Sequence, residues 1–431
     1  MTFFLAPRRG RWSAVGRRRF AAALFFAWLS VASVAQVVAQ PIARDTLLGA
    51  DITSVRDWLL ANNPELHALQ SEADAADARV LPAGALPNPM VGLRLEGIDA
   101  ERDLATYSVR QTFPLWGKRA LAKDIATQET IAVREDRSAV LLERMAEAEK
   151  AYVRYWHADA ALRVVDRLID LVATIETVAR ERYALGLAAQ QDAIRAQVAQ
   201  TRMRAERIER AAMREEAIAQ LNAGLGRPQD APLNPPAGEP AITVPVASRS
   251  EGVAAIARQT HPMLRARTAM ATAADQALTL QQRQRLPDLS VGVGYMQEGS
   301  RFDGYELMLE VEIPLQRGAL REREREAAAR RDAADARVEQ AMKQIEASFG
   351  EAWAAWASAR QRQELFGRTL LPQTEANFAS ALASYRVGEV DFATLLEALE
   401  AWQGADLSRL DAQRDELIGA SELRARIGST P

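Results

Sequence analysis

The chain offers few of the side-chain combinations that catalysis or metal binding requires. It contains no cysteine, which excludes a thiolate nucleophile, a cysteine-ligated metal and a lipid-modified cysteine. Its three histidines, His67, His157 and His261, are isolated, and no two have the i,i+4 spacing of a helical metal site. Gly117-Lys118-Arg119 lacks the upstream glycine of a phosphate loop, and Gly292-Val293-Gly294 lacks the third glycine of a dinucleotide-binding turn. The sequence therefore predicts neither an enzyme nor a bound cofactor or metal.

Apolar and polar residues instead alternate in four short segments. The segments are about 89–97, 104–113, 288–297 and 305–313. In each one apolar residues alternate with polar residues, with Gln111 as the exception, and this period of two predicts β-strands with one apolar and one polar face. The polar face includes the charged residues Arg94, Glu96, Arg110, Glu306, Glu310 and Glu312.

The length of these segments suits a membrane. A strand that crosses a bilayer needs about 9 to 11 residues with one apolar and one polar face, so we expect the six charges to face an aqueous lumen. A sheet packed on a helix in a soluble domain is the alternative. Four strands cannot close a barrel, and an open edge is not tolerated in lipid, so several chains must each contribute four strands.

Sequence landmarks recur 198 to 202 residues apart, which indicates a tandem repeat. Asn63-Pro64-Glu65-Leu66 returns as His261-Pro262-Met263-Leu264, and Tyr183-Ala184-Leu185-Gly186 returns as Tyr385-Arg386-Val387-Gly388. We expect a first repeat at 40–226, a proline-rich linker at 227–250 and a second repeat at 251–428.

Each repeat is predicted to contain a helix, two strands, a very long helix and a returning helix. The long helices are expected at 117–185 and 318–387, and the returning helices at 189–225 and 391–427. Apolar residues along both long helices recur at an average spacing of about 3.5, as in a coiled coil, and Pro372 is expected to kink the second one. The first stripe runs through Leu162, Val165, Ile169, Val172, Glu176, Ala179 and Tyr183, and the second through Ile345, Phe349, Ala352, Trp356, Ala359, Gln363, Phe366 and Leu370. Gly186 and Gly388 are expected to reverse the chain in left-handed conformations.

The N-terminal residues predict export. Six arginines precede an apolar run at 20–38, which is typical of a signal peptide over residues 1–39, with a retained membrane anchor as the alternative. Removal of these six arginines changes the formal charge from −3 to −9. An acidic chain without a basic face is not expected to bind nucleic acid.

Several of these residues resemble a known family. Leu-Pro-Asn-Pro at 86–89, the segment Val109 to Arg119 with the sequence VRQTFPLWGKR, and the duplicated Tyr-x-x-Gly turns resemble TolC-like outer-membrane factors. The resemblance implies a mostly α fold with a small β part, and a homotrimer in the bacterial outer membrane. In such a trimer a 12-stranded transmembrane barrel continues into a helical tunnel in the periplasm. The implied partners are a periplasmic adaptor, an inner-membrane RND-type pump and outer-membrane lipid.

The implied function is a passive export duct of a tripartite efflux system. The stretch Gln-Thr-Phe-Pro-Leu-x-Gly-Lys-Arg is most similar to the CzcC-like branch, which implies heavy-metal cations as cargo. A duct for drugs or other small organic compounds is the alternative, and a periplasmic coiled-coil adaptor or structural protein is the second.

The resemblance also implies roles for residues at the two turns. Docking of the adaptor is implied for the hairpin tips, which comprise Tyr183, Leu185, Gly186, Tyr385, Val387 and Gly388. An acidic gate at the tunnel entrance is implied for Glu397, with Asp391 beside it and Asp192 in the first repeat; Thr394 departs from the family's acidic pattern. The alternative is structural: glycine ends a helix, tyrosine packs in the seam, and an acid favours a helix N-terminus.

Overall fold

The computed structural model describes residues 48–96, 104–244 and 260–428. The predicted signal peptide, residues 98–103 between the first two predicted strands, and residues 245–250 of the predicted linker lie outside these ranges. The described elements are α1 (Ile52–Asn62), α2 (Pro64–Ala83), β1 (Met90–Glu96), β2 (Leu104–Phe113), α3 (Lys118–Ala184), α4 (Gln190–Gly224), α5 (Pro262–Arg283), β3 (Asp288–Glu298), β4 (Arg301–Glu312), α6 (Arg317–Leu365), a π-helical turn (Phe366–Leu370), α7 (Leu371–Val387) and α8 (Phe392–Ile427). The fold is mostly helical with one small antiparallel sheet. Two helices, α1 and α2, stand where one was expected, because Asn63 caps the second and Pro64 begins it.

The four strands form one antiparallel sheet in the order β1-β2-β3-β4. Phe113 pairs with Leu289, which in turn pairs with Val311, so the odd-numbered apolar residues share one face. β4 begins at Arg301, four residues earlier than predicted. Gly299 has φ of 59° and permits a tight turn. Residues 301–304, which lie between the two predicted strand segments, therefore belong to β4.

The apolar face of this sheet is exposed to a degree that is unusual for β-strands in a soluble domain. Val91 is 83% exposed, Leu307 is 70% exposed and Tyr305 is 82% exposed. All seven residues of β1 are exposed. No described helix covers this face, so the sheet presents a continuous apolar surface.

The long helices pack along one another and along the shorter helices. α3 packs along α2, α4, α5 and α8, and α6 packs along α5 and α8. At 67 residues, α3 is on the order of 100 Å long. None of the described helices combines the length and the apolar character needed to cross a bilayer.

The predicted seam of the second long helix agrees with the structure, whereas that of the first is fully buried only at alternate positions. Ile345, Phe349, Ala352 and Ala359 are buried. In α3 the predicted residues Val165, Val172 and Ala179 are buried, whereas Leu162, Ile169 and Glu176 are half-buried and Tyr183 is exposed. Leu168 and Ile175, outside the predicted stripe, are buried as well. The prediction failed at alternate positions because α3 packs against helices on several sides, so one spacing of about 3.5 residues does not identify a unique stripe.

A π-helical turn interrupts the predicted helix 318–387 just before Pro372. Proline has no N–H, and its ring clashes with the carbonyl four residues earlier. The wider turn accommodates it, and the N–H of Leu371 binds the carbonyl of Phe366, five residues back. The distortion expected at Pro372 therefore takes the form of one inserted residue.

A buried charge cluster links the N-terminal helix to the last helix. The Glu149 side chain on α3 is fully buried and accepts a hydrogen bond from Arg56 Nε on α1 at 2.7 Å and another from Arg424 on α8. Buried charges persist when they are paired in this way. The cluster joins both α1 and α8 to α3.

Candidate functional site: a polar strand face and two helical tips

The six predicted lumen charges lie on the polar face of the sheet. Arg94 and Glu96 are both exposed and 4.0 Å apart on β1. Arg110 on β2 donates to Glu310 on β4 at 2.6 Å, across the intervening strand β3. Glu306 lies opposite Gly294, and Glu312 lies opposite Asp288.

A glycine on β3 makes the contact between Arg110 and Glu310 possible. Arg110 pairs in register with Gly292 on β3, which has no side chain to block the path to Glu310. A Cβ at Gly292 would lie 3.2 Å from the Met308 methyl carbon, so this row is already filled. The pair neutralises one carboxylate and leaves Glu96, Glu306 and Glu312 against one remaining arginine, Arg94.

An ion pair at the lower end of the sheet was missed in the sequence. The Lys118 ammonium donates to Asp288 Oδ1 at 2.9 Å and to the carbonyl of Leu286 at 2.8 Å. Asp288 also accepts from the backbone N–H of Leu115 at 3.0 Å. These bonds join the β2–α3 connection of one repeat to the α5–β3 connection of the other. The Gly117-Lys118-Arg119 motif and an aspartate at the start of a strand were the available signals.

Both long hairpins end on glycines in the left-handed conformation. Gly186 has φ of 72° and Gly388 has φ of 87°. The N–H of Leu187 binds the carbonyl of Arg182 at 2.8 Å, and the N–H of Glu389 binds the carbonyl of Ser384 at 2.9 Å. These bonds form the same helix-ending motif twice. The predicted reversals at Gly186 and Gly388 are therefore present.

The two tips differ in their tyrosines. Tyr183 is 45% exposed, whereas Tyr385 is 1% exposed and packs edge-to-face on Phe392. Burial raises the pKa of the Tyr385 hydroxyl, and the nearby Asp192 carboxylate raises it further. Leu185 and Val387 are more than 70% exposed at the two tips. The aliphatic residues are thus available to a partner, whereas Tyr385 belongs to the core.

Arg182 ties the two tips together, and sequence reasoning did not identify it. Its guanidinium donates to the carbonyls of Tyr385 and Arg386 on the second tip and to that of Leu187 on its own tip. The same group lies 5.0 Å above the Tyr385 ring, within cation–π range. A half-buried arginine one residue before Tyr183 gave no distinctive signal.

The predicted acidic residues lie near arginines of the same chain. Asp391 caps α8 by accepting from the Thr394 N–H at 2.9 Å and from the Thr394 hydroxyl at 2.7 Å. The backbone N–H of Thr394, then its hydroxyl, hold the pKa of Asp391 below its ordinary value, and Arg195 adds a smaller effect in the same direction. Asp391 therefore has a structural role as a helix cap whatever else it does.

Glu397 lines a groove between α4 and α8 with a volume of about 310 Å³. Arg195, Arg202 and Glu400 line the same groove. Asp192 lies on the first turn of α4, close to Tyr385 on the other hairpin. The structure thus brings Asp192 to the second tip but keeps Glu397 in a mixed-charge groove.

Among the described residues, no three histidine or carboxylate side chains lie close enough to hold a metal ion. His157 is used otherwise, since its Nε2 lies 2.9 Å from Asp411 across α3 and α8. His261 precedes α5 and is buried. The three histidines occupy separate places.

Comparison with known proteins identifies the architecture. A family model described as "Outer membrane efflux protein" matches residues 55–227 and again residues 253–429. No relative is found among curated protein sequences.

Solved outer-membrane channels share the fold. The open state of the Neisseria gonorrhoeae MtrE outer membrane channel has a TM-score of 0.72 at 18% identity, over 89% of this chain and 90% of that one. The Vibrio cholerae outer membrane protein VceC has a TM-score of 0.70 at 18% identity, over 88% of this chain and 96% of that one. CusC, described with transmembrane channel formation, has a TM-score of 0.72 at 16% identity, over 91% of this chain and 96% of that one.

A small sheet with an exposed apolar face, joined to long helical hairpins, is therefore the fold of an outer-membrane channel protomer. Because the family model matches most of the sequence, the chain belongs to the outer membrane efflux protein family. This membership agrees with the predicted location in the bacterial outer membrane.

Proposed function

We propose that the chain forms a homotrimer and acts as the passive outer-membrane duct of a tripartite efflux system. The observation that carries the proposal is the four-stranded sheet. Its apolar face is exposed, and the outer edges of β1 and β4 pair with no described strand. Backbone groups cannot stay unpaired in hydrocarbon, so the edges must pair with those of other copies. Three copies give a 12-stranded barrel wide enough for an aqueous lumen.

The long hairpins supply the periplasmic part of this duct. They would form a helical tunnel below the barrel, and the exposed Leu185 and Val387 at the tips suit docking of a periplasmic adaptor. An inner-membrane RND-type pump would supply the energy.

Heavy-metal cations are the proposed cargo. The proposal is supported by the resemblance of residues 111–119 to the heavy-metal branch and by the excess of glutamate on the polar strand face. Two arginines and four glutamates give −2 per chain among the six lumen residues, and three chains give −6. Such a ring of charge favours cations. Small organic compounds are the alternative cargo.

Two experiments test these proposals. Cysteines introduced at Leu93 on β1 and Leu309 on β4, in a chain with no native cysteine, should cross-link neighbouring copies into a trimer in membranes. A protein that is monomeric and monodisperse without detergent, or that carbonate releases from the membrane fraction, would refute the duct and favour a periplasmic coiled-coil protein.

A deletion strain should become sensitive to zinc, cobalt, cadmium or copper, whereas sensitivity to dyes alone would refute the metal cargo.

A further inference from the structure

The apolar face of the sheet continues below the ends of its strands. Ile313 is 64% exposed and Leu315 is 80% exposed, and both extend the odd-numbered apolar positions of β4. Leu115 and Trp116, 38% and 51% exposed, follow β2 in the same way. Asp288 pairs in register with Glu312 and accepts from the Leu115 N–H, so the two connections lie at the same level of the sheet. Together with Arg317 and Arg321, these four residues form what we call the junction patch.

Trp116 is held in this patch in a conformation that few bulky residues adopt. Its φ is 60°, in the left-handed region, where a bulky side chain is strained. Arg283 Nη1 donates to the Trp116 carbonyl at 2.7 Å, and the indole N–H donates to the carbonyl of Pro287 at 2.8 Å. The polar group is satisfied internally, while half of the aromatic ring stays exposed. Tryptophan in this arrangement is typical of the membrane–water interface.

Arg317 and Arg321 follow Leu315 on the first turns of α6, four residues apart and therefore on one helix face. Both are exposed, and neither has a carboxylate partner among the described residues; Arg321 Nε only approaches the carbonyl of Arg317 at 3.4 Å. Two other arginines of this helix are neutralised, since Arg325 pairs with Glu322 at 2.9 Å and Arg330 pairs with Glu326 at 2.6 Å. The uncompensated positive charge is thus placed beside the apolar band.

We propose that the junction patch binds anionic phospholipid headgroups of the periplasmic leaflet. Leu115, Trp116 and Leu315 enter the boundary of the acyl chains, and the guanidinium groups of Arg317 and Arg321 bind phosphate oxygens. The inference rests on the proposed function, because the patch faces lipid only when the barrel is inserted. The chain has no cysteine for a lipid anchor, and this contact supplies a second attachment beside the barrel.

The test measures which lipids the purified trimer retains. The trimer is placed in nanodiscs of phosphatidylethanolamine with one quarter phosphatidylglycerol, extracted gently, and analysed by native mass spectrometry. The wild type should retain phosphatidylglycerol preferentially. Arg317→Gln and Arg321→Gln should each lower that preference about fivefold. The matched controls, Arg325→Gln and Arg330→Gln, each remove one positive charge from a paired position and should change the preference less than twofold.

A second measurement reports the tryptophan. Lipids brominated near the headgroup should quench the tryptophan fluorescence of the wild type more than that of Trp116→Phe. The difference in quenching is the contribution of Trp116. Equal phosphatidylglycerol retention by the wild type and by the Arg317→Gln and Arg321→Gln variants would overturn the inference. So would the absence of any difference in quenching. A protein that inserts but shows neither effect refutes this inference alone, whereas a protein that does not insert refutes the proposed duct as well.

Discussion

Arg182 should hold the two tips of each chain in one fixed arrangement. Two of its hydrogen bonds cross between the tips, to the carbonyls of Tyr385 and Arg386, and its guanidinium also lies over the Tyr385 ring. Because this arginine is half-exposed, we assign each bond about 1 kcal/mol, below the range of about 1.5–3 kcal/mol for charged groups, and the ring contributes about 0.5–1 kcal/mol. The sum, about 3 kcal/mol, means that Arg182→Met should raise the population of separated tips about a hundredfold.

Electron paramagnetic resonance can measure this directly. Leu185 and Val387 are exposed and can be replaced by cysteine for spin labelling, because the chain has no other cysteine. Labelled chains are diluted with unlabelled chains so that most trimers carry one pair. Arg182→Met should broaden the distance distribution between the labels, and Arg182→Lys should have an intermediate effect because its ammonium cannot bind both carbonyls in the planar geometry of guanidinium.

Arg386→Met is the control. Its side chain is exposed and makes no hydrogen bond or ion pair among the described residues, so the distribution should stay as in the wild type. An unchanged distribution in Arg182→Met would show that packing alone positions the tips, and the reasoning would be wrong.

Three further predictions concern pH, charge and backbone. Burial lowers the pKa of His261 to about 4, so between about pH 6.5 and pH 4 the unfolded chain binds a proton that the folded chain does not. The free energy of unfolding should therefore fall by about 1.4 kcal/mol for each pH unit as the pH falls through this range. The unfolding midpoint of His261→Gln should depend less on pH than that of the wild type. Glu306→Gln should lower the preference for cations in bilayer conductance measurements, and no change would place Glu306 outside the lumen. Gly388→Ala should lower the thermal unfolding midpoint of the trimer more than Gly186→Ala does. Both glycines have positive φ, but only a Cβ at position 388 would meet another residue, the Arg182 guanidinium at 3.1 Å. Equal losses of thermal stability in the two variants would contradict this.

The sequence predicted the elements well where one period dominated. The strands 104–113 and 288–298 are nearly as expected, because a sheet with one apolar face enforces alternation over its whole length. Gly186 and Gly388 marked the reversals, because only a residue tolerant of positive φ suits that motif.

The environment of particular side chains was less predictable. Tyr183 and Tyr385 occupy equivalent places in the repeat, yet one is exposed and the other buried, because the hairpins pack on different neighbours. Arg182 and Lys118 bind carbonyl groups that are distant in sequence, and such partners leave no periodic pattern. Whether the acids near the tips act as a gate also depends on other copies, which one sequence does not describe.

The π-helical turn at 366–370 determines which residues of α7 face the neighbouring helices. Each residue added to a helix rotates everything after it by about 100°. In an uninterrupted α-helix, the seam spacing of four and three residues that starts at Ala359 would place Ser384 on the buried face. Tyr385 would then point away from that face. With the insertion the buried residues are Phe378, Ala381 and Tyr385. Deleting a single amino acid at this turn, about four helical turns away, would therefore expose the aromatic ring that Arg182 covers and separate the two tips without changing any residue at either tip.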